Sequence, residues 1–387
     1  MGVCIGFLAG CSDVPTSGPS ASAVIDQGSQ GADIAVHDYE FIDINDSTID
    51  VLSRRVSTSF SARFGDHRAS VEPLIGIGDT VSVTIWEASS GGLFSAPAIL
   101  DKMSAGANSA TIPEQVVGRD GAITVPYAGR VEVAGRTTRA VQAVVEKALQ
   151  GKAIQPQVLV NVPKSVSNSV TVGGEAISAA ARIPLSVKGD RLLDVIAGAG
   201  GIRSPVNETY VELARGRSTA RVPLSRIIED PRENIYMQPN DVLTLVHDPQ
   251  TFIAYGATGN VNNEIPFNAD GITLAQALSK SGGLLDYRSD PRGVFVFRWE
   301  SPSLLRLLKP DSPLAQRGRD VPVVYRLDLR NPNSLFLEQK FSMSNRDLVY
   351  ISNAPLVEAE KVISIFTGLL APAGQSAAIA SAAATVK

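Results

Sequence analysis

Cysteine is almost missing from this chain. Its 387 residues hold two, Cys4 and Cys11, both within the first eleven positions. The sequence beyond them therefore has no thiol for a disulfide, a metal ligand or a nucleophile. Histidine is nearly as scarce: His37, His67 and His247 stand alone, with no HExxH or comparable ligand spacing. No GxSxG serine motif occurs either. Basic residues are absent before Arg54, whereas residues 1–53 carry eight acids, leaving +4 on the rest of a chain whose total is −4. No run of Lys or Arg appears anywhere, so the electrostatic footprint of a nucleic-acid binder is lacking. What remains is 44% apolar and long enough for two to four domains.

The two ends are the most unusual parts. The first eleven residues are apolar and finish Leu8-Ala9-Gly10-Cys11. This is the pattern of a bacterial lipoprotein signal, in which the cysteine receives lipid after cleavage. A signal ordinarily opens with positive charge, so the reading expects its true start upstream of Met1. Ser12 follows the cysteine where an aspartate would favour the inner membrane, which points to outer-membrane delivery. At the other end, Val362 to Val386 contain no charged side chain. As a helix they would reach about 37 Å, enough for a ~30 Å hydrocarbon core. Ser364, Thr367, Ala371, Gln375 and Ala378 recur at steps of three and four on one stripe, opposite Val362, Phe366 and Leu369. Such a helix suits a ring of copies around a water-filled pore, with Ser364, Thr367 and Gln375 lining it. Pro372 and Gly374 interrupt the run, so a short amphipathic helix followed by an Ala/Ser tail is the alternative. Lipid on Cys11 and a C-terminal helix would together give the two membrane signals that stable anchoring needs.

Between the ends lies a repeat. At an offset of 82, Ile183-Pro184-Leu185 matches Ile265-Pro266-Phe267, Val170–Gly174 matches Phe252–Gly256, and Leu192–Ile202 matches Leu274–Leu284. Each copy reads strand, turn, Ile-Pro strand, short helix, Gly-Gly. The glycines follow the helix and so read as C-caps, not as a phosphate loop, which would precede it. The copies close on Pro239–Leu245 and Asn345–Ile351 at an offset of 106, which leaves a 24-residue insertion in the second. Ser301–Pro322, polar and rich in proline, is expected to be that inserted loop.

A third block lies upstream. Gly76-Ile77-Gly78-Asp79 is a turn running into an alternating strand that ends at Trp86-Glu87. Val117–Pro126 reads as a hairpin turning on Asp120-Gly121. Gly129–Gly135 follows, then an amphipathic helix over Thr138–Leu149 capped by Gly151, and a strand over Gln155–Val162.

At these residues the chain resembles the polysaccharide-export outer-membrane lipoproteins of capsule and exopolysaccharide translocons. The resemblance rests on Gly76–Glu87, Asp120–Pro126, Gly129–Val131 and Gln155–Val158 in that order, and covers roughly residues 70 to 370. Its export-domain signature falls on Gly78, Asp79, Trp86, Asp120, Gly121, Pro126 and Gly129. It implies an α+β, multi-domain protein: a signal at 1–11, a flexible acidic segment at 12–69, and a β-rich export domain at 70–166. Two β-grasp modules of the soluble-ligand-binding (SLBB) type would follow at 167–249 and 250–353, then a pore-forming transmembrane helix at 354–387. It also implies a homo-oligomeric ring, in the best-understood form an octamer. The partners implied are outer-membrane lipid, the polysaccharide itself, and an inner-membrane polysaccharide co-polymerase often linked to a tyrosine kinase. No enzyme activity, cofactor or metal is expected.

Two other classes compete with this reading. A lipid-anchored glycan hydrolase or lyase would need paired carboxylates; Glu208/Glu212 and Glu358/Glu360 have the spacing but sit in sequence typical of solvated faces. A periplasmic sugar-binding or scaffold lipoprotein without a pore would use the β-grasp repeat and only a tether. Within 12–69, Ser12–Gly31 is the stretch expected to be flexible. Ile34–Ile44 is expected to form a strand along the β-grasp modules, with Asn45/Asp46 capping a helix that follows.

Overall fold

The computed structural model describes residues 18–29, 39–55, 58–67, 73–88, 93–94, 109–260, 263–316, 318–355 and 357. Cys11 and His37 lie outside these residues, as do Glu358, Glu360, Ser364, Thr367, Gln375 and almost all of the expected C-terminal helix. Among the described residues no helix is long and apolar enough to cross a membrane. The chain forms two compact units, one from residues 57–248 and one from residues 1–56 together with 249–387.

The N-terminal elements are α1 (Ala21–Ser29), β1 (Glu40–Asp43), α2 (Asp46–Ser53) and α3 (Phe60–Phe64). Within Ser12–Gly31, expected to be flexible, Ala21–Ser29 is instead a packed helix. Ser20 accepts from the Ala23 amide, and α1 buries Ala21 and Val24 against Phe295, Val324 and Tyr350. Small residues are what allow it so close: a Cβ on Gly293 would lie 2.9 Å from that of Ala21. Asn45 caps α2 by accepting from the Thr48 amide at 2.9 Å. Helix α3 belongs to the other unit, where Phe60 is fully buried and Glu233 accepts from its amide. The described residues of the 12–69 segment are thus divided between both units.

After α3, the unit of residues 57–248 runs through β2 (Thr80–Trp86), β3 (Ser109–Val116), β4 (Ala122–Val125), β5 (Gly129–Glu132), α4 (Thr138–Leu149) and β6 (Gln157–Lys164). The sheet order is β3-β2-β6, with β4 and β5 as a separate hairpin. Thr137 caps α4, which turns Val141, Val145 and Leu149 into the core at i, i+4 and i+8. The hairpin does not turn on Asp120-Gly121. Its turn is Pro126–Ala128, where Tyr127 takes a left-handed φ of 63°. Asp120-Gly121 instead leads the chain from β3 into β4.

The same unit continues with β7 (Ser169–Gly173), β8 (Ala181–Pro184), α5 (Leu192–Gly198), β9 (Thr209–Arg215), β10 (Ser218–Pro223), α6 (Leu224–Glu229) and β11 (Val242–His247). The sheet runs β10-β9-β11-β7-β8, with β7 and β11 parallel.

The second unit repeats this plan with β12 (Thr251–Gly256), β13 (Asn263–Pro266), α7 (Leu274–Lys280), β14 (Ser289–Glu300), α8 (Pro302–Leu308), β15 (Val321–Leu327), α9 (Ser334–Lys340) and β16 (Asp347–Asn353). Its sheet is extended by the N-terminal strand: β1-β15-β14-β16-β12-β13, with β1 parallel to β15. Residues 301–322 are not the expected loop. Ser301 caps α8, Pro302 stands at its first turn, and Leu305, Leu314 and Ala315 enter the core.

The repeat is kept to the atom. Gly201 donates to the Ile196 carbonyl and Gly283 to that of Leu278, closing α5 and α7 as C-caps. One relation is threefold. Gly78, Asn240 and Arg346 have φ of 90°, 68° and 66°, and each precedes an aspartate. Asp79, Asp241 and Asp347 then accept from the amide three residues back, at 2.8, 2.8 and 2.7 Å. The Gly-Asp turn of the upstream block is therefore the same device as the closing turns of the two modules.

Candidate functional site

The signature residues fall in three places. Asp79 is 1% exposed and holds the passage from β6 into β7. Its Oδ1 accepts from the amides of Val166 and Ser167 at 2.7 and 2.8 Å; its Oδ2 accepts from Gly76 N and Ser167 Oγ at 2.8 and 2.6 Å. Burial by itself would raise this carboxyl, yet the Ser167 hydroxyl and the amides of Ser167, Gly76 and Val166 hold it below the ordinary aspartate value. The two glycines are explained by the same geometry. A Cβ on Gly76 would come within 2.3 Å of the Ser167 side chain, and Gly78 supplies the positive φ.

Trp86 ends β2 on the outward side of the sheet, 39% exposed. Its neighbour Glu87 is buried, accepting from the Phe94 amide at 2.8 Å and the Ile154 amide at 3.2 Å. That carboxylate ties the Phe94 and Ile154 amides to the end of β2. In the third place, Asp120 meets Arg130 at 2.9 Å, and the Gly121 carbonyl accepts from Val133 and Ala134. Gly121 and Gly129 have φ of 68° and 77°, and Pro126 lies at the exposed tip. Of the seven signature residues, only Asp79 lines the cleft described next.

The cleft lies between the β2–β6 block and the β7–β11 module, within one compact unit, and has a volume of about 1050 Å³. Its walls come from the segment before β2, the first turn of α4, the end of β6 and the β8 edge. Sequence reasoning missed it, because its walls are far apart in the chain. Of the paired carboxylates, Glu208 Oε2 meets His247 Nε2 at 2.8 Å and Glu212 sits on β9 opposite Arg221, while Glu358 and Glu360 lie outside the described residues. His67 offers its carbonyl to Gln238 Nε2. A buried network also escaped the sequence reading. Glu300 receives Arg55 and Tyr325, while Arg298 is shared between Glu300 and Asp347. Burial first, then the Glu300 charge, pushes the Tyr325 hydroxyl well above the usual phenol range.

The comparisons agree with this architecture. The family model described as polysaccharide biosynthesis/export protein matches residues 67–163, and that of the SLBB domain matches residues 255–351. Over 369 residues the chain is 37% identical to the capsule polysaccharide export outer membrane protein CtrA of Neisseria meningitidis, covering 94% of this chain and 92% of that protein. This chain belongs to the polysaccharide-export outer-membrane protein family. A 36% identity over 378 residues to the capsule polysaccharide export protein BexD of Haemophilus influenzae covers 94% and 93%. The Vi polysaccharide export protein VexA/TviF of Salmonella typhi is more distant, at 28% over 296 residues, covering 76% and 77%. The first family match contains all seven signature residues, and the second contains the module into which β1 is paired.

Proposed function

We propose that this protein is an outer-membrane component that carries capsular or extracellular polysaccharide to the cell surface, without chemistry of its own. The observation that carries the reading is the 37% identity over 94% of the chain to a capsule export outer membrane protein. In this reading Cys11 carries the lipid and the folded units lie in the periplasm. A homo-oligomer of about eight copies, the number implied by the family resemblance, closes a ring. Residues 354–387 supply one helix per copy to a barrel in which Ser364, Thr367 and Gln375 face the lumen. Short hydroxyl, amide and methyl side chains suit a moving polymer, because they hydrate the wall without gripping it. Drive comes from an inner-membrane co-polymerase and its tyrosine kinase. Gly78, Asp79, Trp86, Asp120, Gly121, Pro126 and Gly129 act in this scheme by shaping the export domain.

The test is the mass of the detergent-solubilised full chain against a version stopped after Pro355, by light scattering or native mass spectrometry. A closed ring that requires detergent only when the tail is present supports the channel. A monomer or dimer, equally soluble with or without the tail, overturns it and leaves a tethered polysaccharide-binding protein.

A further inference from the structure

We infer that the cleft beside Asp79 is a binding site for an acidic sugar polymer, one bearing carboxylate or phosphate groups. Three cations line it: Arg139 on the first turn of α4, Lys164 at the end of β6, and Arg182 on β8. The side chain of none of the three has an ion pair or hydrogen bond among the described residues, in a chain whose net charge is −4. Most other arginines of the two units are engaged with carboxylates or carbonyls, as Arg215, Arg221 and Arg298 are. Among the described residues of the lining, Asp79 is the one carboxylate. Its oxygens are already turned toward amides and hydroxyls of the protein, so it offers nothing to the three cations.

The rest of the lining suits a sugar rather than a bare ion. Leu74 and Val187 are more than half exposed and give apolar walls on which the C–H face of a pyranose ring can rest. Gln142 offers an amide among them. A volume of about 1050 Å³ is at the upper end of small-ligand sites, large enough for several sugar residues. The cleft is open, as a passing chain requires. That the anion belongs to a sugar polymer rests on the export reading; that the cleft takes an anion rests on its own side chains.

The test measures binding to the full chain in detergent by calorimetry. The probes are an oligogalacturonate, which has a carboxylate on every residue, and a neutral dextran oligomer of equal length. Oligogalacturonate should bind and dextran should not. The variant R139Q/K164Q/R182Q should lose about tenfold or more in affinity, as three partly screened charge contacts allow. Because these side chains are exposed and unpaired, its unfolding midpoint should stay that of the parent. The parent's affinity should also fall as salt rises from about 50 to about 300 mM.

Equal binding of dextran, or an unchanged affinity in the variant, would overturn the inference. Displacement of the oligomer by inorganic phosphate at the same molar concentration would reduce the cleft to a simple ion site. Tighter binding of a peptide spanning Asp26–Asp50 would make it a dock for protein. Failure of ring formation with selective oligogalacturonate binding retained would sink the channel alone.

Discussion

Asp241 and Asp347 stand at equivalent points of the two β-grasp modules, and each receives an arginine from the neighbouring antiparallel strand. Arg215 reaches Asp241 at 2.7 Å through Nη2, and Arg298 reaches Asp347 at 2.6 Å. Both guanidiniums also lie over an aromatic ring, Arg215 over Phe64 and Arg298 over Phe341. The pairs differ in burial. The Arg298 side chain is 5% exposed, and that of Arg215 is 20% exposed.

That difference ranks two substitutions. Removing the carboxylate in Asp347→Ala leaves Arg298 buried without its main partner, at a cost of about 3–5 kcal/mol. Asp241→Ala should cost about half of that, because Arg215 can turn toward water. Urea unfolding of each variant checks the order, and equal losses would show that exposure does not set the cost.

Asp79 titrates below the ordinary aspartate value when folded, so the unfolded chain binds more protons in the window between its two values. Its stabilisation is complete above the unfolded value and disappears as pH falls toward the folded one. Asp79→Asn should lose on the order of 3 kcal/mol at neutral pH, since amides that faced a carboxylate would partly face an NH2 group. The gap between parent and variant should narrow as pH drops below about 4. Unfolding curves across that range are the measurement.

Gly174 and Gly256 occupy the same place in the two modules, with φ of 113° and 91°. An added Cβ would lie 2.1 Å from the Leu245 carbonyl oxygen in one and 2.0 Å from that of Ile351 in the other. Both obstacles are backbone and cannot swing aside. Alanine at either glycine should therefore destabilise by more than 1 kcal/mol, beyond the usual cost of a left-handed alanine. Gly129→Ala, with nothing within 4 Å, should show only the backbone term. A thermal shift assay on the three variants separates clash from strain.

Helix α1 should prove integral to its unit. Val24→Asp places a carboxylate against Phe295 and Tyr350, where neither water nor a cation is supplied by the packed face. The expected result is early protease cleavage near residues 18–29 and a loss of about 2 kcal/mol or more. Unaltered protease resistance would contradict the packing.

Helix α4 was legible because its signals are local: an amphipathic pattern with valines at i and i+4, and Gly151 behind its last turn. The repeat was legible because equal spacing keeps equal turns, down to the glycines after α5 and α7. Helix α8 was hidden by Pro302, which reads as a breaker in a row of prolines but serves as a first-turn residue. Helix α1 was hidden by its Ala and Ser content. Its stabilising partners, Phe295, Val324 and Tyr350, lie some 270 residues or more further along. The β4–β5 turn was misplaced because Asp-Gly is the commoner hairpin signal, whereas nothing in Tyr127 announces a left-handed backbone. The cleft could not be read at all, since it depends on four separate segments meeting.

The parallel pairing of β1 with β15 carries a consequence for biosynthesis. Asp43 and its partner Arg326 are 283 residues apart. At ~5–20 residues per second, the ribosome needs on the order of 15 seconds to a minute to reach the second from the first. Residues 58–248 emerge in that interval and bring all their own sheet partners with them. Val24 and Phe41, made earlier, have no sheet to cover until the last strands arrive. Helix α1 and β1 thus complete their packing only after β14–β16 have been made.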